Sequence, residues 1–223
     1  MGRDAREQFF YAMLDAAALD SAALLSLTMA LLDRGIRWFQ LRAKGLSTRE
    51  AVELAQELRR RIPRGGGRHL LINDRVDVAL LAEACGVHLG QTDLPYREAR
   101  RLLGKTALIG LSTHNLTQAT EAEAAGADYI GFGPIFATAT KRDTWPTCGV
   151  EALRQVVSRV ACPVVAIGGI APHNATAVWE TGVDAVASIG AVSHSATPTA
   201  VVEQLLSLRR RSDTLDAAEA TIG

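Results

Sequence analysis

The sequence is poor in cysteine, and the little it has is badly placed for cross-linking. Cys85, Cys148 and Cys162 are odd in number, far apart and without CxxC spacing, which speaks against a disulfide framework and against a thiolate zinc site. A reducing, cytoplasmic compartment is the expectation. Net charge is also missing: 24 Lys and Arg offset 24 Asp and Glu, so no global field draws in nucleic acid or an anionic membrane. The basic clusters Arg59, Arg60, Arg61 with Arg64, and Arg209, Arg210, Arg211, fall at expected helix ends, where cations complement the dipole. No apolar run approaches the ~20 residues of a membrane span, and Met1 to Phe10 mixes charged and polar residues. No linker divides the 223 residues. What remains is the 48% hydrophobic, 22% charged balance of an ordinary folded domain with a well-filled core.

Short β-branched or aromatic runs alternate with longer helix-period stretches along the whole chain, the pattern of βα units and a parallel sheet. The expected strands are 9–14, 38–42, 69–72, 86–89, 107–111, 129–131, 164–167 and 185–189. Eight such units close a barrel, so the fold class expected is α/β, a single (β/α)8 TIM barrel over residues 1–212, with 213–223 as a flexible tail. Amphipathic stretches at 21–32, 48–61, 76–83, 117–125, 150–159, 175–180 and 200–208 supply helices. An open doubly wound sheet would also alternate β and α, but it calls for a glycine-rich turn after its first strand. Here that turn reads DAAALD, with no glycine.

In such barrels the catalytic groups sit at the C-terminal strand ends, so polar residues there carry information. Strand two runs into Gln40, Leu41, Arg42, Ala43 and Lys44. Alternation turns the amide, guanidinium and ammonium to one face, a set suited to a polyphosphate. Strands three and four run into Asn73, Asp74 and Arg75, and into Gly90, Gln91, Thr92 and Asp93. Carboxylates at two neighbouring strand ends suit a shared Mg²⁺, which takes one or two protein carboxylates and fills its remaining positions with water and substrate phosphates. Asp77 fits better as a helix first-turn acid, and His88 as a satisfied core histidine. After strand five come Ser112, Thr113 and His114. After strand six comes the longest interruption, 133–149, holding Thr138, Ala139, Thr140 and Lys141; long ordered loops in compact folds are usually functional. Strands seven and eight end in Gly168 and Gly169, and in Ile189 and Gly190, where barrels frequently cradle a phosphate with backbone N–H groups.

One face therefore offers a metal and diphosphate half and a monophosphate half. Such a face suits a transferase that joins two phosphorylated small molecules, with diphosphate leaving. No nucleophile paired with a base stands out, so positioning and charge neutralisation would carry the rate.

The motifs QLRAK at 40–44, LINDRVDVAL at 71–80, GVHLGQTDLP at 86–95, IGLSTHN at 109–115, YIGFGPIFATATK at 129–141 and VVAIGGI at 164–170 together resemble the thiamine phosphate synthase family. The resemblance runs in order from about Phe10 to Leu208. It implies a transferase joining 4-amino-2-methyl-5-hydroxymethylpyrimidine diphosphate to a thiazole phosphate carboxylate, with thiamine phosphate, diphosphate and CO2 as products. By the same resemblance Gln40, Leu41, Arg42, Ala43, Lys44, Asn73, Ser112 and Lys141 contact the pyrimidine diphosphate, with Arg42, Lys44, Ser112 and Lys141 catalytic. Asp74 and Asp93 bind Mg²⁺; Thr138, Ala139, Thr140, Gly168, Ile189 and Gly190 hold the thiazole phosphate. The implied mechanism is dissociative: diphosphate departs, and the thiazole nitrogen attacks the pyrimidine cation left behind.

Three departures from the family pattern stand out. Ala43 replaces the Glu of QLREK, Gly190 replaces a serine common in the last phosphate loop, and Arg142 to Cys148 brings in Trp145 and Cys148. Two other readings stay open: a thiazole phosphate tautomerase of the same fold, with His114 as acid or base, and a non-catalytic phosphate-ligand sensor. Apolar helix faces leave room for a homo-oligomer without singling out a face.

Overall fold

Three of the described helices start on a short polar side chain that caps them. In a computed structural model, which describes residues 7–138 and 145–209, α2 (Thr48–Arg61) opens on a reciprocal cap. Ser47 Oγ accepts from Glu50 N at 3.3 Å and the Glu50 carboxylate accepts from Ser47 N at 2.8 Å. Arg59, Arg60 and Arg61 fall in its last turn, on the side the dipole favours. Asp20 caps α1 (Ser21–Leu32) by accepting from Ala23 N, and Asn115 caps α5 (Leu116–Ala125) by accepting from Gln118 N, neither reciprocally. Gly126 ends α5 in the left-handed region at φ 93°, a conformation glycine takes without strain. Replacing Ser47 with Ala is expected to cost about 1 kcal/mol, seen as a lower urea midpoint at unchanged m-value, with turnover unaffected.

The strands are β1 (Phe9–Asp15), β2 (Trp38–Arg42), β3 (His69–Asn73), β4 (Gly86–Leu89), β5 (Leu108–Thr113), β6 (Tyr129–Phe132), β7 (Val164–Ile167) and β8 (Ala185–Ser188). All pair in parallel and in chain order, and β1 pairs with β8 to close the barrel. The remaining helices are α3 (Val76–Leu81), α4 (Tyr96–Leu103), α6 (Gly149–Arg159), α7 (Ala175–Trp179), α8 (Gly190–Ser193) and α9 (Pro198–Ser207). The architecture is thus the (β/α)8 barrel expected. The periodicity singles out neither α4, which buries only Ala99 among its residues, nor α8, which is one turn long. β5 extends past the expected 111 because its ladder with β6 continues to Thr113↔Phe132. The expected tail, 213–223, lies outside the described residues.

Alternation along the strands sorts the side chains into two sets. Phe10, Leu14, Phe39, Leu41, Leu70, Ile72, Val87, Ile109, Ile130 and Val186 face outward and pack under the helices. Each such side chain contributes roughly 1.5–3 kcal/mol on burial. Trp179 is fully buried there and donates from Nε1 to Leu205 O at 2.8 Å, tying α7 to α9. The inward set is partly aromatic: Tyr11, Met13, Leu71, Tyr129, Val165, Ala185, Ala187 and Ile189, with Phe9, Trp38 and Leu108 packed against them. Trp38 packs at 4.4 Å and a tilt of 45° on His69 and edge-to-face at 5.8–5.9 Å with Tyr11 and Tyr129, plugging the N-terminal end of the barrel; burial there lowers the His69 pKa. No helix among the described residues is long and apolar enough to cross a membrane.

Candidate active site

Above the aromatic plug, alternate residues of all eight strands line one cavity: Tyr11 and Met13, Gln40 and Arg42, Asn73, His88, Ser112, Tyr129 and Gly131, Val165 and Ile167, Ala187 and Ile189. It opens at the C-terminal strand ends, where barrels place their chemistry. Gln40 and Arg42 share this face, as alternation expects. Leu41 does not: its side chain is fully buried on the outer surface of β2, so only its main chain is near the mouth. Ala43 likewise packs against the outer core. Lys44 lies beyond the end of β2 and reaches across to Asp74, with Nζ 3.1 Å from Oδ2.

Two ion pairs hold the cations in place. Arg42 Nε lies 3.4 Å from Asp15 Oδ2, both side chains nearly buried. At that separation the pair is electrostatic and no directed hydrogen bond forms, so Arg42 Nε keeps an unused donor. Asp15, at the end of β1, is a site residue that neither motif nor spacing indicates; only the register Asp15↔Arg42 brings it in. Asp74 takes a left-handed backbone, φ 63°, with its N–H on His88 O at 2.8 Å. Left-handed non-glycine residues cost energy and cluster at functional sites. Asp93 folds back in the turn after β4 and accepts from Gly90 N at 2.6 Å. Burial and then the adjacent Asp74 carboxyl push the Asp93 pKa up, with Lys44 opposing. Two carboxylates forced together, with one ammonium to share, form a place that gains from a further cation. Among the described residues no group of three or more His, Cys, Asp and Glu is placed to hold a metal. A hard ion that takes only two protein carboxylates still fits this donor set.

Across the barrel, the loops after β7 and β8 are braced together. Ser188 Oγ donates to Ile170 O at 2.7 Å, and Asn174 accepts from Ala171 N and donates to Gly169 O. Gly168 and Gly169 have φ of 101° and 66°. A Cβ on Gly168 would lie 2.5 Å from Pro134 Cα, and one on Gly169 would lie 2.6 Å from Ala137 O. The glycines are therefore required first by the β6–α6 loop packed on them, a reason beyond the close approach of a phosphate. Gly190 opens the single turn of α8 directly after Ile189.

The β6–α6 loop is pinned at both ends. Ile135 N donates to Ile167 O and Phe136 N to Gly168 O, while Cys148 N returns to Pro134 O and Gly149 N to Ile135 O. Trp145 stacks on His114 at 4.4 Å and 14°. The His114 Nδ1 lies 2.5 Å from Gly133 O and Cys148 Sγ donates to His114 O at 3.1 Å. Thr138 is half-buried at the near end of the loop; Ala139, Thr140 and Lys141 lie outside the described residues. Thr113, expected at the mouth, is instead fully buried on the outer face of β5 and donates to Gly131 O.

His88 is the clearest correction. It is no core histidine: it lines the cavity, with Nδ1 3.0 Å from Tyr129 Oη and Nε2 2.9 Å from Ser112 Oγ. Counting alternation back from the end of β4 would have turned it inward. Asp77, by contrast, pairs with Arg75 in the first turn of α3, apart from the cavity.

The family model described as "Thiamine monophosphate synthase" matches residues 10–192. A thiamine-phosphate synthase of Chloroflexus aurantiacus is 48% identical over 169 residues, covering 76% of this chain and 77% of that one. One of Methanosarcina barkeri is 43% identical over 187 residues, covering 84% of each. Among solved structures, thiamine phosphate pyrophosphorylase from Pyrococcus furiosus superposes with a TM-score of 0.79 at 34% identity, covering 99% of both chains. A 3-hexulose-6-phosphate synthase of Salmonella typhimurium, at 17% identity, TM-score 0.69, and 90% and 98% coverage, shares the fold alone. With the family model spanning all eight strands up to α8 and the cavity built from the same motifs, the chain belongs to the thiamine monophosphate synthase family.

Proposed function

We propose that this chain couples 4-amino-2-methyl-5-hydroxymethylpyrimidine diphosphate to a thiazole phosphate carboxylate, releasing thiamine phosphate, diphosphate and CO2. The observation that carries the reading is the division of the barrel mouth. Arg42, Lys44, Asp74 and Asp93 gather at the ends of β2 to β4, and the braced glycine loops sit after β7 and β8.

Asp74 and Asp93 would hold Mg²⁺, which when bound neutralises the departing diphosphate. Around it the chain's own residues act by position. Arg42, fixed by Asp15, and Lys44, fixed by Asp74, present their charges where the leaving group gathers negative charge. Gln40 Oε1 is buried with no hydrogen-bond partner, so a ligand N–H there would remove the cost of an unpaired buried acceptor; the pyrimidine amino group supplies one. Asn73 and Ser112 line the diphosphate side, and Lys141 is assigned there by family resemblance. Thr138, Ala139, Thr140, Gly168, Ile189 and Gly190 are assigned to the thiazole phosphate on the same basis. Three cysteines without a disulfide suit a cytoplasmic enzyme.

The tautomerase reading is less favoured, because its acid or base, His114, is engaged with Gly133 O and Trp145 and does not line the cavity. The test is incubation of both substrates with Mg²⁺, following thiamine phosphate and diphosphate. Product in equal amounts, abolished by a chelator and restored by Mg²⁺, is expected. A changing thiazole tautomer ratio with no product would transfer the chain to the isomerase reading, and binding without either change to the sensor reading.

A further inference from the structure

Five side chains in the barrel interior form one unbroken line of hydrogen bonds. Gln40 Nε2 donates to Tyr11 Oη at 3.0 Å, and the Tyr11 and Tyr129 hydroxyls lie 2.9 Å apart. Tyr129 Oη is 3.0 Å from His88 Nδ1, and His88 Nε2 is 2.9 Å from Ser112 Oγ. The line begins and ends on residues assigned to the pyrimidine diphosphate and runs through three that no substrate role accounts for.

Proton counting gives the line a direction. A hydroxyl has one proton to donate, and a neutral imidazole donates from one nitrogen and accepts at the other. Since Gln40 turns its N–H to Tyr11 and leaves Oε1 without a partner, the Tyr11 proton goes to Tyr129. The Tyr129 proton then goes to His88 Nδ1, so the imidazole proton sits on Nε2 and faces Ser112 Oγ. Ser112 accepts that bond, and its own proton is left for the ligand. Burial pushes both phenol pKa values well up, so neither proton is lost near neutrality.

The space for this line is cut by missing side chains. A Cβ on Gly110 would lie 2.1 Å from Tyr129 Cζ, and one on Gly131 would lie 2.9 Å from His88 Cε1. Both glycines lie inside strands, where glycine weakens the strand unless something must approach closely.

Taking the synthase reading as given, we infer that Tyr11, Tyr129 and His88 are positioning residues that polarise the pyrimidine diphosphate site. Through them Gln40 is kept as an acceptor for a ring amino group and Ser112 as a donor to an anionic oxygen of the leaving group. The ordering is intrinsic to the free protein, so it is readable without substrate. Protein labelled with ¹⁵N-histidine, with His88 assigned from the His88→Gln spectrum, is expected to show a protonated Nε2 and an unprotonated Nδ1 near neutral pH.

Tyr129→Phe keeps the ring but removes the donor. It is expected to move His88 toward the Nδ1–H tautomer and to lower kcat about tenfold with KM for the pyrimidine diphosphate within about twofold. A wild-type His88 found as Nδ1–H or as imidazolium would overturn the inference. So would Tyr129→Phe leaving tautomer and kcat unchanged. Should that variant not fold, the wild-type tautomer decides alone. A wild-type protein that made no product would count against the synthase reading and leave the tautomer measurement standing.

Discussion

Asp93→Asn is expected to lower turnover at saturating substrates by at least about a hundredfold, roughly 3 kcal/mol of lost transition-state stabilisation. The amide retains an oxygen for Gly90 N, so the turn after β4 should survive. What it loses is the second anionic donor beside Asp74, and with it the charge that makes this strand end receptive to a divalent ion. A companion measurement separates this from general damage. In the absence of metal, burial and then the adjacent Asp74 carboxyl disfavour a charged Asp93, so the neutral variant should melt no lower than the parent. Addition of Mg²⁺ together with diphosphate should raise the melting temperature of the parent and leave the variant unmoved, since only a ligand bound to the folded state stabilises it. A variant that retained the parent's turnover and its response to metal would remove Asp93 from the metal site.

Gly110→Ala should produce a large loss of stability by overpacking the barrel interior. The added carbon would lie 2.1 Å from Tyr129 Cζ and 2.5 Å from its hydroxyl oxygen. Tyr129 is almost fully buried and packed against Tyr11, Trp38 and His88, so its ring has nowhere to retreat. Overpacking of this kind typically costs 1–3 kcal/mol and occasionally more; about 3 kcal/mol is expected here. In a chain of this length that is a fall in Tm of roughly 6–12 °C, and urea unfolding should show the same loss at constant m-value. A melting temperature equal to the parent's would mean the tyrosine rotates away at little cost, and the geometry around β5 and β6 would need revision.

How much of this was legible beforehand differs by scale. A helix with a capped start and a full amphipathic face, such as Thr48–Arg61, declares itself because cap and period agree; Ser21–Leu32, apolar nearly all round, is marked chiefly by its Asp20 cap. The polar residues at strand ends were legible because barrels confine chemistry there. Asp15, Tyr11, Tyr129 and His88 were not, since each owes its role to a neighbour far along the chain: Asp15 to Arg42 on the adjacent strand, and Tyr11 to Tyr129 at a separation of 118 residues. Strand alternation turns His88 inward, but no local signal shows that Tyr129 and Ser112 from other strands meet its two ring nitrogens there. The glycines of β5 and β6 carried a signal of their own. A glycine within a strand asks what approaches it, and the answers here are Tyr129 and His88, two side chains that lie within the motifs but were given no role.

The pinned β6–α6 loop has a consequence for how stability depends on loop length. The bonds from Cys148 and Gly149 back to Pro134 and Ile135 make exit and entry a single fixed point, so whatever chain runs between them adds nothing to the barrel's own register. Extra or missing residues in such a closed excursion change its closure entropy only logarithmically, about 0.6 kcal/mol for each doubling. The length of chain between these anchors is therefore a weak lever on the stability of the barrel.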